Sequence, residues 1–433
     1  MDVLGLLASA ALTKELANRQ DSQEFLTLTP EPIAQVIPVD LLDVQSISEQ
    51  FTTEQNQPPN RVKDLEILVW DLEMQQFAPT AFLEGEVILG INGVVGENPD
   101  NSVVFQQSVE FILNMSLTGE DSLEVGLESG NSREFSFVDE LTFEGRLGFL
   151  SNTDSDRFKL SELSYEFPIG DRASVYISTT GNDLNEFNPF LGDRDKSGDG
   201  AISEFGIENP IHSLVEDVGL QLNYDLTAEF GLSLGYFSGE ANNPSSGAGL
   251  FNGNQSAFVQ LEFEPSDRFL LGLTYIHTYN DSGLETETGS QRSQINLERP
   301  VVGNSYGVST SFALNPDILI GGWAGFTNAT VIDLGDAYIW NYALTLAFSD
   351  FGQQGNLLGI VIGQEPKLTG TSGFMIDDQR SDPDTSLHFE LFYQNRLSDK
   401  ISVTPGLVWI TAPNHDNNNP DFLVFTVRTT LNF

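Results

Sequence analysis

Carboxylates dominate the side chains of this chain that could do chemistry. Its 433 residues include 63 Asp and Glu against 19 Lys and Arg, a formal net charge of -44. A polyanion of that size is repelled by nucleic acid and by anionic headgroups, which argues against a nucleic-acid partner. The acids are dispersed, so the charge belongs to a whole surface or cavity rather than to a tail, or else reflects a high-salt habitat. One stretch has metal-ligand spacing: Asp195-Lys196-Ser197-Gly198-Asp199-Gly200. Oxygens at the first, third and fifth positions with glycine at the sixth suit an EF-hand-like Ca2+ loop. Gly206 stands where the closing bidentate Glu belongs, and a start at Asp193 that recruits Glu204 puts Gly200 at an apolar position. Asp195, Ser197 and Asp199 are therefore candidate calcium ligands in a loop over 193–204, with a metal-free solvated loop as the other reading.

Enzymatic constellations are scarce. His212, His277, His388 and His415 are far apart, and no His/Glu helical metal motif or Gly-rich phosphate loop occurs. With no Cys, thiolate catalysis, thiolate metal sites and disulfides are excluded. A Ser and a His on an outer wall could still meet, but nothing marks such a pair. The chain is read as a non-enzyme.

The elements that must position the carboxylates follow from periodicity. Hydrophobic residues make up 39 % of the chain, and no apolar run reaches the roughly 18 residues that a membrane helix needs. After Pro79 the period is two and stays so to Phe433. Val109, Phe111, Leu113, Met115 and Leu117 share one side, opposite Glu110, Asn114 and Ser116. Tyr338, Trp340, Tyr342, Leu344, Leu346 and Phe348 share another, as do Leu423, Phe425, Val427, Leu431 and Phe433. In a soluble sandwich the apolar face would be core; in an outer-membrane barrel it meets lipid. Connections favour the barrel. Short turns at Glu264–Arg268, Asn315–Asp317 and Ser398–Lys400 alternate with long connections at 181–216, 238–255, 280–304 and 364–385. That alternation fits short periplasmic turns and long external loops. Direct counting from Leu83 gives seventeen strands, and the even number required of a barrel with both termini on one side reduces this to about sixteen; the surplus lies between 120 and 170.

Ahead of the barrel, expected over 80–433, two further segments are predicted. Residues 1–60 read as leader and disordered linker, opening on an apolar run at 3–12 that is either a signal peptide without its basic start or the beginning of an amphipathic helix. Residues 61–78 read as a short amphipathic helix, a coiled-coil stub, from the spacing of Val62, Leu65, Leu68, Val69 and Leu72.

With the apolar face toward lipid, the predicted pore-lining set is Glu84, Glu86, Glu110, Glu124, Glu128, Glu144, Glu162, Glu166, Glu262 and Glu390, against Arg146, Arg428 and a neutral His388. Carboxylates between low-dielectric walls concentrate cations and oppose anions. Glu144 and Arg146, two apart, are expected to pair on one strand or to set a transverse field.

The chain also resembles the cyanobacterial iron uptake porins, relatives of the carbohydrate-selective porins, from about Leu83 to Phe433. The resemblance is carried by Leu83–Ile88, Asn188–Leu191, Ser203–Gly206 with Asn209–Ile211, Gly249–Gly253, Gly321–Trp323, Ala337–Tyr342 and Asp382–His388, and by a last strand ending in Phe433. It implies an outer-membrane channel for inorganic ions, including iron, or small solutes, assembled as a homotrimer in a Gram-negative, cyanobacterium-like envelope. That family also carries a wall-binding segment and a coiled-coil stem; here 1–60 show no such segment and only 61–77 look like the stem. Family members often have a plain Gly/Ser stretch where Asp193, Asp195 and Asp199 stand, so calcium is not among what the resemblance implies. Three functions follow as expectations: cation-favouring passive diffusion through an acidic lumen, a carbohydrate-selective pore, or a structural protein tethering the envelope.

Overall fold

The computed structural model describes residues 80–97, 102–132, 142–149, 157–180 and 198–433. The segments predicted at 1–60 and 61–78 lie outside the described residues, as do Asp195 and Ser197.

Sixteen strands form one closed antiparallel barrel in which each pairs with its chain neighbours and the last pairs with the first. They are β1 (Thr80–Gly96), β2 (Val104–Ser116), β3 (Ser122–Gly130), β4 (Lys159–Pro168), β5 (Ala173–Thr180), β6 (Val218–Asp225), β7 (Phe230–Ser238) and β8 (Gln255–Ser266). The second half comprises β9 (Phe269–Asn280), β10 (Val301–Asn315), β11 (Ile318–Val331), β12 (Gly335–Ser349), β13 (Leu357–Thr371), β14 (His388–Ser398), β15 (Ile401–Ile410) and β16 (Phe422–Asn432). Closure runs from Glu86 opposite Asn432 to Gly96 opposite Phe422.

Two-residue periodicity builds this wall because alternate side chains point to opposite faces. On β12, Trp340, Tyr342 and Leu344 are exposed while Ala337, Ile339, Asn341, Ala343, Thr345 and Ala347 are buried. The exposed side is outward, since closure leaves no edge and the inner positions are enclosed. One end of the barrel has brief turns, such as 267–268, 316–317 and 399–400; the other carries 131–158, 181–217, 239–254, 281–300, 372–387 and 411–421.

Within 120–170, where the surplus strand was expected, lies the segment 142–149. It alternates like a strand but joins no ladder; Leu147 forms only an isolated bridge to Ser203. Its two faces have a different cause, because it lies inside the barrel between other loops and the wall.

The interior is not uniformly wet. Phe149, Ala201, Ile202 and Phe205 pack with Ile88, Trp323, Val361, Phe392 and Val408 in one apolar cluster. Ile211, Leu214, Leu284, Ile295 and Phe374 pack with Phe237, Ile276, Val301, Ile339 and Leu368 in another. Loops from the elaborated end thus fold inward against β7–β16 and β1, each large apolar side chain contributing about 2 kcal/mol of burial.

Candidate functional site

The segment 198–217 is anchored to the inner wall residue by residue. Thr430 donates to Gly198 O at 2.6 Å, and Arg428 donates to Gly200 O at 2.7 Å and Ala201 O at 3.0 Å. Glu390 accepts from Ile202 N at 2.7 Å, from Ser203 N at 3.3 Å and from the Ser203 hydroxyl. Ser203 also caps a single helical turn, α1 (Glu204–Ile207), by accepting from Gly206 N at 2.9 Å. Serine suits that place because its oxygen satisfies an amide left open at a helix start. Farther on, Asn209 Nδ2 donates to Ala324 O at 3.2 Å.

Wall glycines make room for these contacts. A Cβ on Gly406 would stand 2.5 Å from Ile202, one on Gly363 2.8 Å from Phe205, and one on Gly307 2.5 Å from Ile211. The segment is therefore seated in a groove cut into β10, β13 and β15.

Beneath the seat lies a buried polar network. His388 Nδ1 is 2.7 Å from Glu365 Oε1, and its Nε2 is 3.5 Å from Glu390 Oε2. Glu365 also accepts from Gly145 N at 3.0 Å and from the Thr288 hydroxyl. Glu144 accepts from the Thr142 hydroxyl at 2.9 Å and from Asn414 N. Burial, and then the Glu365 carboxylate, push the Glu144 carboxyl up to about 8. Burial, seconded by Lys367, lowers His415 to about 3, and its Nδ1 accepts from Ser386 N at 2.7 Å. Burial raises Asp382 to about 6 against hydrogen bonds from Ser290 and Leu368 N. Glu204 is raised well above the usual range by burial and then by Glu287.

The sequence-predicted residues divide accordingly. Glu84, Glu86, Glu110, Glu124, Glu128, Glu162, Glu166 and Glu262 share the inner face of β1–β4 and β8, and none of them is buried. Glu86, Glu110 and Glu128 stand directly opposite one another on three successive strands. Like-charge neighbours in such a row repel one another, and Glu128 is offset by Lys159 at 2.6 Å. Glu390 and Arg428 also point inward, but at 2 % and 0 % exposure they hold the seated segment and do not border its water. Glu144 and Arg146 are not on a strand. Glu144 is buried as above, whereas Arg146 donates to Glu287 O at 3.0 Å and lies 4.3 Å over the Phe143 ring. His388, expected to be neutral, sits between two carboxylates. Of the calcium candidates, Asp199 is described: it accepts from Gln394 and stands 3.8 Å from Arg396. Among the described residues no group of three or more His, Asp or Glu could hold a metal ion.

Some inward residues escaped the sequence reading. Lys159 lies 2.6 Å from Glu128; a register shift between Gly126 and Leu127 brings it to the inner face, and simple alternation misses such shifts. Glu208 arrives on the seated segment beside Glu204, which the sequence offers only as a calcium-loop ligand, and Glu287 on the loop 281–300. An available signal was Leu407-Val408-Trp409-Ile410, apolar on both faces, which marks a wall covered on its inner side.

These features agree with comparisons to known proteins. The model of the family described as carbohydrate-selective porin, OprB family, matches residues 44–433. An uncharacterized protein of Nostoc sp. is 32 % identical over 91 % of this chain and 72 % of its own length. One from Synechocystis sp. is 27 % identical over 91 % of this chain and 76 % of its own. Among solved structures, OprB of Pseudomonas putida superposes with a TM-score of 0.54 at 13 % identity, covering 84 % of this chain and 96 % of that one. An anion-selective porin from Comamonas acidovorans gives 0.52 at 11 % identity, covering 82 % and 100 %. OmpT of Vibrio cholerae in its trimer form gives 0.51 at 9 % identity, again covering 82 % and 100 %.

Proposed function

The chain belongs to the carbohydrate-selective porin, OprB family, and on that premise we propose that this outer-membrane channel, which is not an enzyme, passes inorganic cations and small neutral solutes in preference to anions. The observation that carries the reading is the inner face of β1–β4, where Glu86, Glu110 and Glu128 stand in one row with Glu84, Glu124, Glu162 and Glu166 around them. Among the described residues the seated loops cover β7–β16 and part of β1, whereas the inner carboxylates of β2–β4 are not buried. A cation entering between low-dielectric walls meets their potential before it is screened. Iron enters the proposal only as one such cation. A homotrimer is part of the same reading, supported by the trimer form of the OmpT neighbour.

Reversal potential in a planar bilayer under a salt gradient tests the charge preference. A potential on the cation side supports the reading, and an anion-selective or non-conducting protein ends it.

The family's description favours a second reading, a saccharide pore. Among the described residues Tyr176 on β5 is a half-buried aromatic on the inner face, and aromatic rings suit a sugar face, while Trp323, Phe258 and Phe392 are covered. Swelling of liposomes in sugars of graded size separates the readings: rapid uptake of disaccharides without charge preference selects the second.

A further inference from the structure

The motif Gly249-Leu250-Phe251-Asn252-Gly253 has no part in the bore. It lies at the end of loop 239–254, between β7 and β8. The β7 residues Phe230, Leu232, Leu234 and Tyr236 share the outward parity, and Tyr236 stands opposite Leu220 on β6 and Ala257 on β8. An aromatic thus closes each end of an aliphatic stretch, and nine residues give the strand a length of roughly 30 Å, enough when tilted to cross the lipid band.

The loop returns to the outer rim of this face. Tyr236 donates its hydroxyl to Leu250 O at 2.7 Å, and Ser238 donates to Gly249 O at 3.2 Å. Gly249 N bonds Glu240 O at 3.1 Å, and Gly249 has φ +85°, a conformation that suits glycine and turns the chain outward. The Phe251 ring then lies 5.8 Å from Tyr236. It is 69 % exposed, with Leu250 at 42 % and Leu220 at 54 % beside it. A frame with this many hydrogen bonds holds a large apolar ring out of the fold, where contact with water is unfavourable. The ring is continuous with the lipid-facing wall and its aromatic rim, where amphipathic and aromatic side chains settle at a membrane interface.

The geometry points to loop 239–254 as a lipid hook that lays Leu250 and Phe251 into the membrane interface at the long-loop end of the barrel. Its partner is the bilayer surface itself. Because the chain has no Cys, one introduced Cys carries one label. Phe251→Cys, with Ser246→Cys at the loop apex and Leu234→Cys on the outer wall as references, is spin-labelled in the full chain. The labelled chains are reconstituted in phosphatidylcholine and phosphatidylglycerol vesicles, and each variant is checked by its sheet circular dichroism and its conductance. Power saturation with oxygen and a water-soluble nickel chelate should give position 251 an oxygen-to-nickel ratio several-fold above that of 246 and near that of 234. A ratio equal to that of 246 overturns the proposal. So does spin–spin broadening with low access to both relaxants, which would assign the patch to a second copy of the chain.

Discussion

The imidazole of His388 lies 2.7 Å from Glu365 on the adjacent strand, and the same ring faces Glu390, whose carboxylate holds Ile202 N and Ser203 N. One buried ring thus stands between two buried carboxylates and, through one of them, beneath the segment that narrows the bore. Removing it in His388→Ala leaves those carboxylates without their shared donor. The expected cost is about 3 to 5 kcal/mol, read as a lower melting temperature, together with larger and noisier single-channel steps. Unchanged steps would show that the segment stays in place without the network.

Overpacking the seat gives a cleaner displacement. In Gly406→Val the new side chain meets Ile202 at once, and the expected cost is about 1 to 3 kcal/mol. Adding Ile202→Ala should restore both stability and conductance if the clash is local. A double-mutant cycle measures that coupling, and additivity of the two changes would argue against a direct contact.

Charge selectivity should reside in the opposed row. Neutralising Glu86, Glu110 and Glu128 together to Gln is expected to reduce the cation-to-anion permeability ratio several-fold while leaving the barrel folded. In the unaltered protein the ratio should also fall as salt rises, because the screening length shrinks from about 10 Å at 0.1 M to about 3 Å at 1 M. Reversal potentials over that salt range check both statements.

The loop network predicts a pH profile. Glu144 is held protonated up to about 8 when folded against 4.5 as its ordinary value, so the folded state binds more protons over that window and stability falls as pH rises through it. Asp382, raised to about 6, acts the same way at lower pH. His415, lowered to about 3, acts oppositely, and stability rises between about 3 and 6.5. Above about 6.5, then, Glu144 governs among these three. Melting temperatures should decline from pH 6.5 to 8, and Glu144→Gln should flatten that decline.

Period-two alternation made much of this molecule legible, because a barrel wall with one polar face writes itself into the sequence as it does at Tyr338–Phe348. It misled at 142–149, where Glu144 and Phe149 alternate for another reason: one is held by Thr142 and Asn414, the other packs under Arg428. Glu390 and Arg428 were legible as inward but not as covered. Alternation reports which way a side chain points, and coverage depends on a loop joined to them only in three dimensions. Lys159 was hidden by a one-residue register shift.

The closure of β1 on β16 and the seating of 198–217 on later strands have a consequence for assembly. On the edge of β1 away from β2, Glu86–Gly96 find their partners among Phe422–Asn432, at the far end of the chain. The wall glycines Gly363 and Gly406 and the Glu390 and Arg428 anchors likewise follow the segment they hold by well over a hundred residues, as the 187-residue separation of Ser203 from Glu390 illustrates. Neither the seam nor the constriction can form while the chain is partial, so a truncated or stalled chain has no narrowed conduit to leave in the membrane. Both depend on pairings of high sequence separation, which are slow to form, and the narrowing of the bore is therefore bound to completion of the wall around it.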